Sequence, residues 1–300
     1  MDLFIKLKKK FKEGNIVTSL IYINVGIFIV TAFMNLVVYL FNLPPYSILD
    51  YGKLPASLTV LAHRPWTLIT YMFLHQDILH ILFNMLFLYW FGNFFYSLFT
   101  TRHLRGVYVL GGIMGAIFFI VSYHIFPKLL LSVDYVSLIG ASASILAIVT
   151  AVATRVPNQS VRFLLIGSIK LKYVALIVIL LDMLMISIDN PGGHIAHLGG
   201  ALAGYLFVKA LSRGTDLTKW INAIIDIPQA IISYFKSRKQ RMKVVKNNKK
   251  YTKHKQDHDY NYKKKQQLDE VDRILDKIKE SGYNNLTEDE KKALFNAGKK

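Results

Sequence analysis

The apolar residues of this chain come in long runs, not in alternation and not as narrow stripes. A run near 20 residues matches the ~30 Å hydrocarbon core of a bilayer at about 1.5 Å of rise per helical residue. Such runs fall at roughly 17–42, 78–99, 104–125, 140–156, 172–189 and 193–212. They predict an all-α, polytopic membrane protein with six spanning helices, the fourth somewhat short. Of the 300 residues 53% are hydrophobic, as six spans require. The first run is too long for a signal peptide and no small-residue cleavage site follows it cleanly, so it counts as a span. The chain has no cysteine. That excludes disulfides, thiol catalysis and thiolate metal sites, and leaves the redox compartment open.

Orientation follows from Lys and Arg. The N-terminus carries Lys6, Lys8, Lys9, Lys10 and Lys12. Arg102 and Arg105 follow the second run, and Arg155, Arg162, Lys170 and Lys172 follow the fourth. The alternate loops are poor, with Lys53 and Arg64 after the first run and only Lys128 after the third. Residues 236–300 hold 20 of the 37 basic residues against 10 acidic ones, and they carry most of the net charge of +18. Both termini are therefore expected in the cytoplasm, of a bacterial plasma membrane, as an even number of spans demands.

Four regions are expected. Residues 1–16 are a basic cytoplasmic N-terminus and 17–212 the six-helix membrane domain. Residues 213–265 combine an interfacial amphipathic segment (Trp220, Ile221, Ile224, Ile225, Ile231, Ile232, Phe235) with a basic disordered linker. Residues 266–300 form a small helical hairpin: Val271, Ile274, Leu275 and Ile278 share a helical face, Gly282 ends it, and Thr287 with Glu290 makes a capping box for a second helix. So basic a tail fits anionic lipid headgroups or an unknown cytoplasmic partner, and no nucleic acid is expected.

In that orientation the second, fourth and sixth runs all travel inward from the outer side, so their first turns share one depth. The second opens "HQDILHILFNM", with His80 and Asn84 one turn apart. The fourth opens Gly140-Ala141-Ser142-Ala143-Ser144, and the sixth opens "GGHIAHLGGALAG" with His194 and His197. Polar groups inside a bilayer are costly and normally face a partner or a water-filled cavity. A serine hydroxyl becomes a nucleophile only with a base in hydrogen-bond reach and donors for the oxyanion that forms. His197 can be that base. Asn84, His80 and the Ser142 N–H at a helix N-terminus can be the donors. Gly199, Gly200 and Gly204 permit the close helix approach this needs.

Carried by "FLHQDILHILFNM" at 73–85, "GASA" at 140–143 and "AHLGGALAG" at 196–204, the chain resembles the rhomboid family of intramembrane serine proteases over roughly 17–212. The resemblance implies a six-helix fold and hydrolysis of a peptide bond at the outer end of a partner's transmembrane helix. It makes Ser142 the nucleophile and His197 the general base, a dyad without a carboxylate, with His80 and Asn84 assisting the oxyanion hole. The expected partners are transmembrane protein substrates and membrane lipid, and no cofactor is expected. Two positions depart from the family: Ala143 stands where Gly usually follows the serine, and the Glu often found near Tyr96 is absent.

The remaining polar residues read as structural. Ser144 is a packing hydroxyl bonded to a carbonyl one turn back, His75 organises its loop, and Asp182 and Asp189, either of which could orient a histidine, read first as capping or packing carboxylates. His194 and His197 resemble a metal pair, but the sequence supplies them no carboxylate or thiolate set. Two other functions use the same polar residues: a transporter lined by them, and a non-catalytic rhomboid-like chaperone. A transporter tends to show paired repeats and broken helices, and a chaperone of this kind would lack the serine or the histidine.

Overall fold

The computed structural model describes residues 15–42, 48–163, 167–228, 233 and 251–297. It divides into two compact units, Met1–Asp226 and Ile227–Lys300. The first is built on six long helices: α1 (Ile16–Leu40), α2 (Ile78–Leu98), α3 (Thr101–Ile125), α4 (Ser142–Arg155), α5 (Leu171–Met185) and α6 (Pro191–Leu211). They fall on the six apolar runs. Three of them, α1, α2 and α3, are long and apolar enough to cross a membrane.

Each start is fixed locally. The side chains of Asn15, Asp77, Thr100 and Asn190 accept from the backbone N–H three residues on, at the N-termini of α1, α2, α3 and α6. Pro191 follows Asn190 at the first position of α6, where a missing N–H costs nothing. Helix α5 stops at Met185, four residues short of the expected 189, and a turn then leads into α6.

Helix α4 is the centre. Every residue from Ala143 to Ala153 is buried, so it is apolar all round, as a helix enclosed by others must be. Glycines on its two neighbours let them come close. A β-carbon at Gly200 or Gly204 of α6 would lie 2.1 Å from the Ala143 carbonyl oxygen or 2.0 Å from that of Ala147. From α3, a β-carbon at Gly111 would lie 2.4 Å from Ala147 Cβ. Small residues thus set the α3–α4–α6 spacing. Around this nucleus α1, α2 and α5 keep large apolar side chains exposed, among them Phe33, Phe83 and Leu184.

The connection from α1 to α2 has structure of its own in its described part, residues 48–77. It holds short helices at Ile48–Gly52, Leu58–His63 and Thr67–Thr70 and a 3₁₀ turn at Tyr71–Phe73. Trp66 Nε1 donates to the Tyr51 carbonyl (2.9 Å) and Thr70 Oγ1 to that of Gly52 (2.8 Å). The Tyr71 hydroxyl donates to the Gly112 carbonyl (2.6 Å) and the Tyr108 hydroxyl to that of Met72 (2.9 Å), which pins the segment to α3.

Two small strand pairs depart from the all-helical expectation. β1 (Leu54–Pro55) pairs antiparallel with β2 (Ser137–Leu138), with Leu54 opposite Leu138. β3 (Ser160–Phe163) and β4 (Gly167–Lys170) make a hairpin between α4 and α5. Two to four residues per strand are too few for a period-two pattern to show in a sequence.

After α6, residues 219–228 are helical. Ile221 and Asn222 are buried, while Trp220, Ile224 and Ile227 are exposed, so the segment is two-faced as expected. Arg102 and Arg105 both donate to the Asp226 carboxylate, and Asn222 Nδ2 donates to the Arg102 carbonyl (3.0 Å). The anticipated apolar positions Ile231, Ile232 and Phe235 lie outside the described residues, as do the N-terminal lysines and the linker from 234 to 250.

The second unit is a helical hairpin of α7 (Tyr251–Ser281) and α8 (Glu288–Ala297). The predicted punctuation is present: Gly282 has φ +81°, Thr287 N–H donates to Glu290 Oε2 (2.9 Å) and Glu290 N–H to Thr287 Oγ1 (3.3 Å). Lys277 Nζ adds 2.9 Å bonds to both Glu290 carboxylate oxygens, and Ile274 and Leu286 are buried. One boundary is corrected. Residues 251–265, expected as disordered linker, are the first half of α7, because a polar helix propagates outward from an apolar anchor such as Ile274.

Candidate active site

Helix α4 begins at Ser142 after a tight turn. Gly140 has φ +125°, a conformation a side chain rarely tolerates, and a β-carbon there would stand 2.8 Å from His80 Nε2. Glycine is required on both counts. The turn is held from the α1–α2 connection, through the β1–β2 pair on one side and the Gly140 N–H donating to the Tyr71 carbonyl (3.0 Å) on the other.

Ser142 and His197 meet across α4 and α6, 55 residues apart in sequence. The Ser142 hydroxyl lies 2.6 Å from His197 Nε2. The other ring nitrogen, Nδ1, lies 2.8 Å from Asp182 Oδ1 on α5, and His194 Nδ1 lies 2.7 Å from the same oxygen. In the tautomer that lets Ser142 donate to Nε2, the His197 Nδ1–H donates to Asp182.

Of the two readings open to Asp182, the structure favours orienting a histidine over a cap or plain packing: its carboxylate is bonded to His197, so the serine–histidine pair has a carboxylate beside it. Of α5 only Leu171, Ala175 and Asp182 are buried, so the aspartate faces inward from a helix whose other surfaces are largely exposed and apolar. Three residues separate His194 from His197, which puts both on one face of the first turns of α6. A buried acid in an apolar helix was the available signal; its partners, on another helix, were not readable.

Asp182, His194 and His197 also form a donor set of the kind that holds zinc, their atoms all within 4.8 Å of one another. Both nitrogens stand at hydrogen-bond distance from the carboxylate oxygen. Tetrahedral zinc with ligand bonds near 2.0–2.1 Å holds its donors about 3.3 Å apart. As arranged, the two imidazoles are hydrogen-bonded to the carboxylate.

His80 and Asn84 line the same cavity as Ser142 and His197, as expected from their spacing on α2. Asn84 Nδ2 donates to the His80 carbonyl (2.9 Å), which leaves its second N–H free to point elsewhere. The His80 ring stacks edge-on against His75 at 5.1 Å. His75 itself is buried and does not line the cavity. Ser144 is fully buried with its Oγ 3.9 Å from Met72 Sδ, so it packs against a thioether instead of the anticipated carbonyl. The cavity measures about 610 Å³ and extends between Phe83 and Phe87 of α2 and Val174 and Val178 of α5.

Ala143 in place of glycine is accommodated by the neighbouring helix. Its methyl lies 2.7 Å from where a β-carbon of Gly115 on α3 would be, so α3 supplies the missing space.

A helical protein with membrane-length apolar helices and a serine, a histidine and a carboxylate in line defines a class: membrane proteins built like serine hydrolases at one buried point. The chain matches the Rhomboid domain family over residues 62–214, just over half its length, and it belongs to that family. The rhomboid domain is that of intramembrane serine proteases and of related members without activity, and it makes this a membrane protein. Helix α1, which the sequence resemblance included, lies outside the matched range. Residues 254–300 match a second family, DUF6576, whose function is unknown, and its range takes in nearly all of α7 and α8. No curated protein matches the chain.

Proposed function

We propose that the protein is an intramembrane serine endopeptidase that cleaves a peptide bond in or near the transmembrane segment of other membrane proteins. One observation carries the reading: the 2.6 Å contact between Ser142 Oγ and His197 Nε2, made by residues from two neighbouring helices. A half-buried hydroxyl and imidazole between membrane helices need partners, but a packing role would not require the nucleophile to open onto a cavity. Both residues line one.

The chemistry follows. Ser142 Oγ attacks the substrate carbonyl carbon while His197 Nε2 takes the hydroxyl proton. The oxyanion forms at the start of α4, within reach of the Ser142 N–H, the free Asn84 N–H and His80. His197 then gives the proton to the departing amine, and water releases the acyl group by the same steps in reverse. The stretch of cavity between α2 and α5 is the path for an unwound substrate segment. Helix-weakening residues near the scissile bond would lower the cost of that unwinding.

In this reading α1 to α6 all span the membrane, both termini and the α7–α8 hairpin lie in the cytoplasm, and the membrane is a bacterial plasma membrane. The basic tail meets anionic headgroups or a cytoplasmic partner. The test is cleavage of a model transmembrane substrate, with serine-directed fluorophosphonate labelling, by the wild type, Ser142→Ala and His197→Ala. Each substitution should abolish both signals without loss of membrane insertion, and the double variant should be no worse than either. Persistent cleavage by Ser142→Ala would end the proposal.

A further inference from the structure

The geometry points to Asp182 as a positioning residue that works through His197, an inference that rests on the protease reading above. Asp182 Oδ1 receives His197 Nδ1 at 2.8 Å while the opposite nitrogen of the same ring faces Ser142 at 2.6 Å. A neutral imidazole has one N–H. With that proton held at Nδ1 by the carboxylate, Nε2 carries the bare lone pair that the serine proton needs. Without it, the ring is free to adopt the opposite tautomer or to turn away.

Three features favour this over a plain tie between α5 and α6. The carboxylate is buried on a helix whose other buried residues are Leu171 and Ala175, an expensive place for a charge. Its second oxygen, Oδ2, is buried with no hydrogen-bond partner among the described residues, so the two imidazoles alone compensate it. The buried negative charge is offset when His197 becomes imidazolium, the state it reaches as Ser142 attacks. His194 supplies the third feature. Its own Nδ1, at 2.7 Å from Oδ1, fixes the carboxylate from a second direction without touching Ser142.

A tie would be served as well by asparagine, whose oxygen still accepts an N–H. A positioning carboxylate would not, because the asparagine amide donates to Nδ1 and imposes the unproductive tautomer. The experiment uses the full chain in detergent. It compares wild type with Asp182→Asn and His194→Ala by transmembrane-substrate kinetics, fluorophosphonate labelling and thermal unfolding. Histidine-selective ¹⁵N spectra then report the His197 tautomer. The expected result is a kcat loss on the order of 10²–10⁴-fold in Asp182→Asn with KM nearly unchanged. The Nδ1–H signal should be present in the wild type and lost in Asp182→Asn, whereas His194→Ala should stay within about tenfold of wild type.

Asp182→Asn labelling within about threefold of wild type would overturn the assignment. So would a rate loss that tracks unfolding temperature and vanishes on cooling. If Asp182→Asn does not fold, the wild-type spectrum still decides, since an Nε2–H tautomer at His197 contradicts the role. A wild type that neither cleaves nor labels at Ser142 would sink the protease reading itself and take this inference with it.

Discussion

Gly140, Ser142 and Ser144 lie within five residues and have three different environments. Gly140 has no room for a methyl group and a positive φ, so Gly140→Ala should remove activity by displacing His80 or the turn. Ser144 touches Met72 and does not line the cavity at Ser142, so Ser144→Ala should keep most activity and lose little stability. Asn84→Ala and His80→Ala are the sharper tests. An oxyanion donor acts only near the transition state, so each should lower kcat more than it raises KM, by on the order of 10²–10³-fold. The stability cost should be modest, about 1–3 kcal/mol for an orphaned polar partner. Kinetics beside an unfolding scan decides, and activity that merely follows the unfolding temperature would make both residues structural. At this scale much was legible beforehand. Ser142, His197, His80 and Asn84 each sit in the first turns of an apolar run, where a polar residue stands out. Asp182 stood out equally, but its meaning depended on the facing of α5 toward α6, which no spacing within α5 encodes.

Among the elements, glycine placement governs reactivity as well as packing. A methyl at Gly200 would meet the carbonyl of Ala143, the residue beside Ser142. Gly200→Ala should therefore push α6 from α4, lengthen the Ser142–His197 contact and abolish cleavage, with overpacking costing about 1–3 kcal/mol. Gly26 of α1 has nothing within 4 Å, and Gly26→Ala is the matched control that should cleave normally. Activity assays with an unfolding scan on the two variants check this, and equal rates would show that α4 and α6 can separate harmlessly. Long apolar runs made the six helices readable to within a few residues at most ends. The strand pairs and the start of α7 were not. β1 and β2 are two residues each and are joined by a pairing 84 positions apart, while α7 begins in a polar stretch that lacks hydrophobic periodicity.

For the molecule as a whole, the two compact units divide the labour of prediction. Every candidate for chemistry precedes residue 213, so truncation after about residue 240 should leave proteolysis in detergent intact and change only substrate choice in cells. Loss of activity in a folded truncated protein would give the hairpin a catalytic part. The hairpin has its own acid sensitivity. Hydrogen bonds from the Thr287 N–H, then Lys277, hold the Glu290 carboxyl down to about 2. A depressed folded-state value means that its contribution is complete above about pH 4.3, the ordinary glutamate value, and is lost as the pH falls towards 2. In the folded chain the Thr287 amide resonance should titrate with a midpoint near 2, and a midpoint at the ordinary glutamate value would contradict the bond. The 55-residue gap between Ser142 and His197 also has a meaning in time. A ribosome adding roughly 5–20 residues per second delivers the histidine about 3–10 s after the serine. Until then α4 has no α6 beside it, and its hydroxyl has no proton acceptor. On the proposed protease reading, the chain is thus inert during its own birth. Ribosome-stalled chains ending before residue 190 should not react with a fluorophosphonate, whereas the finished protein should.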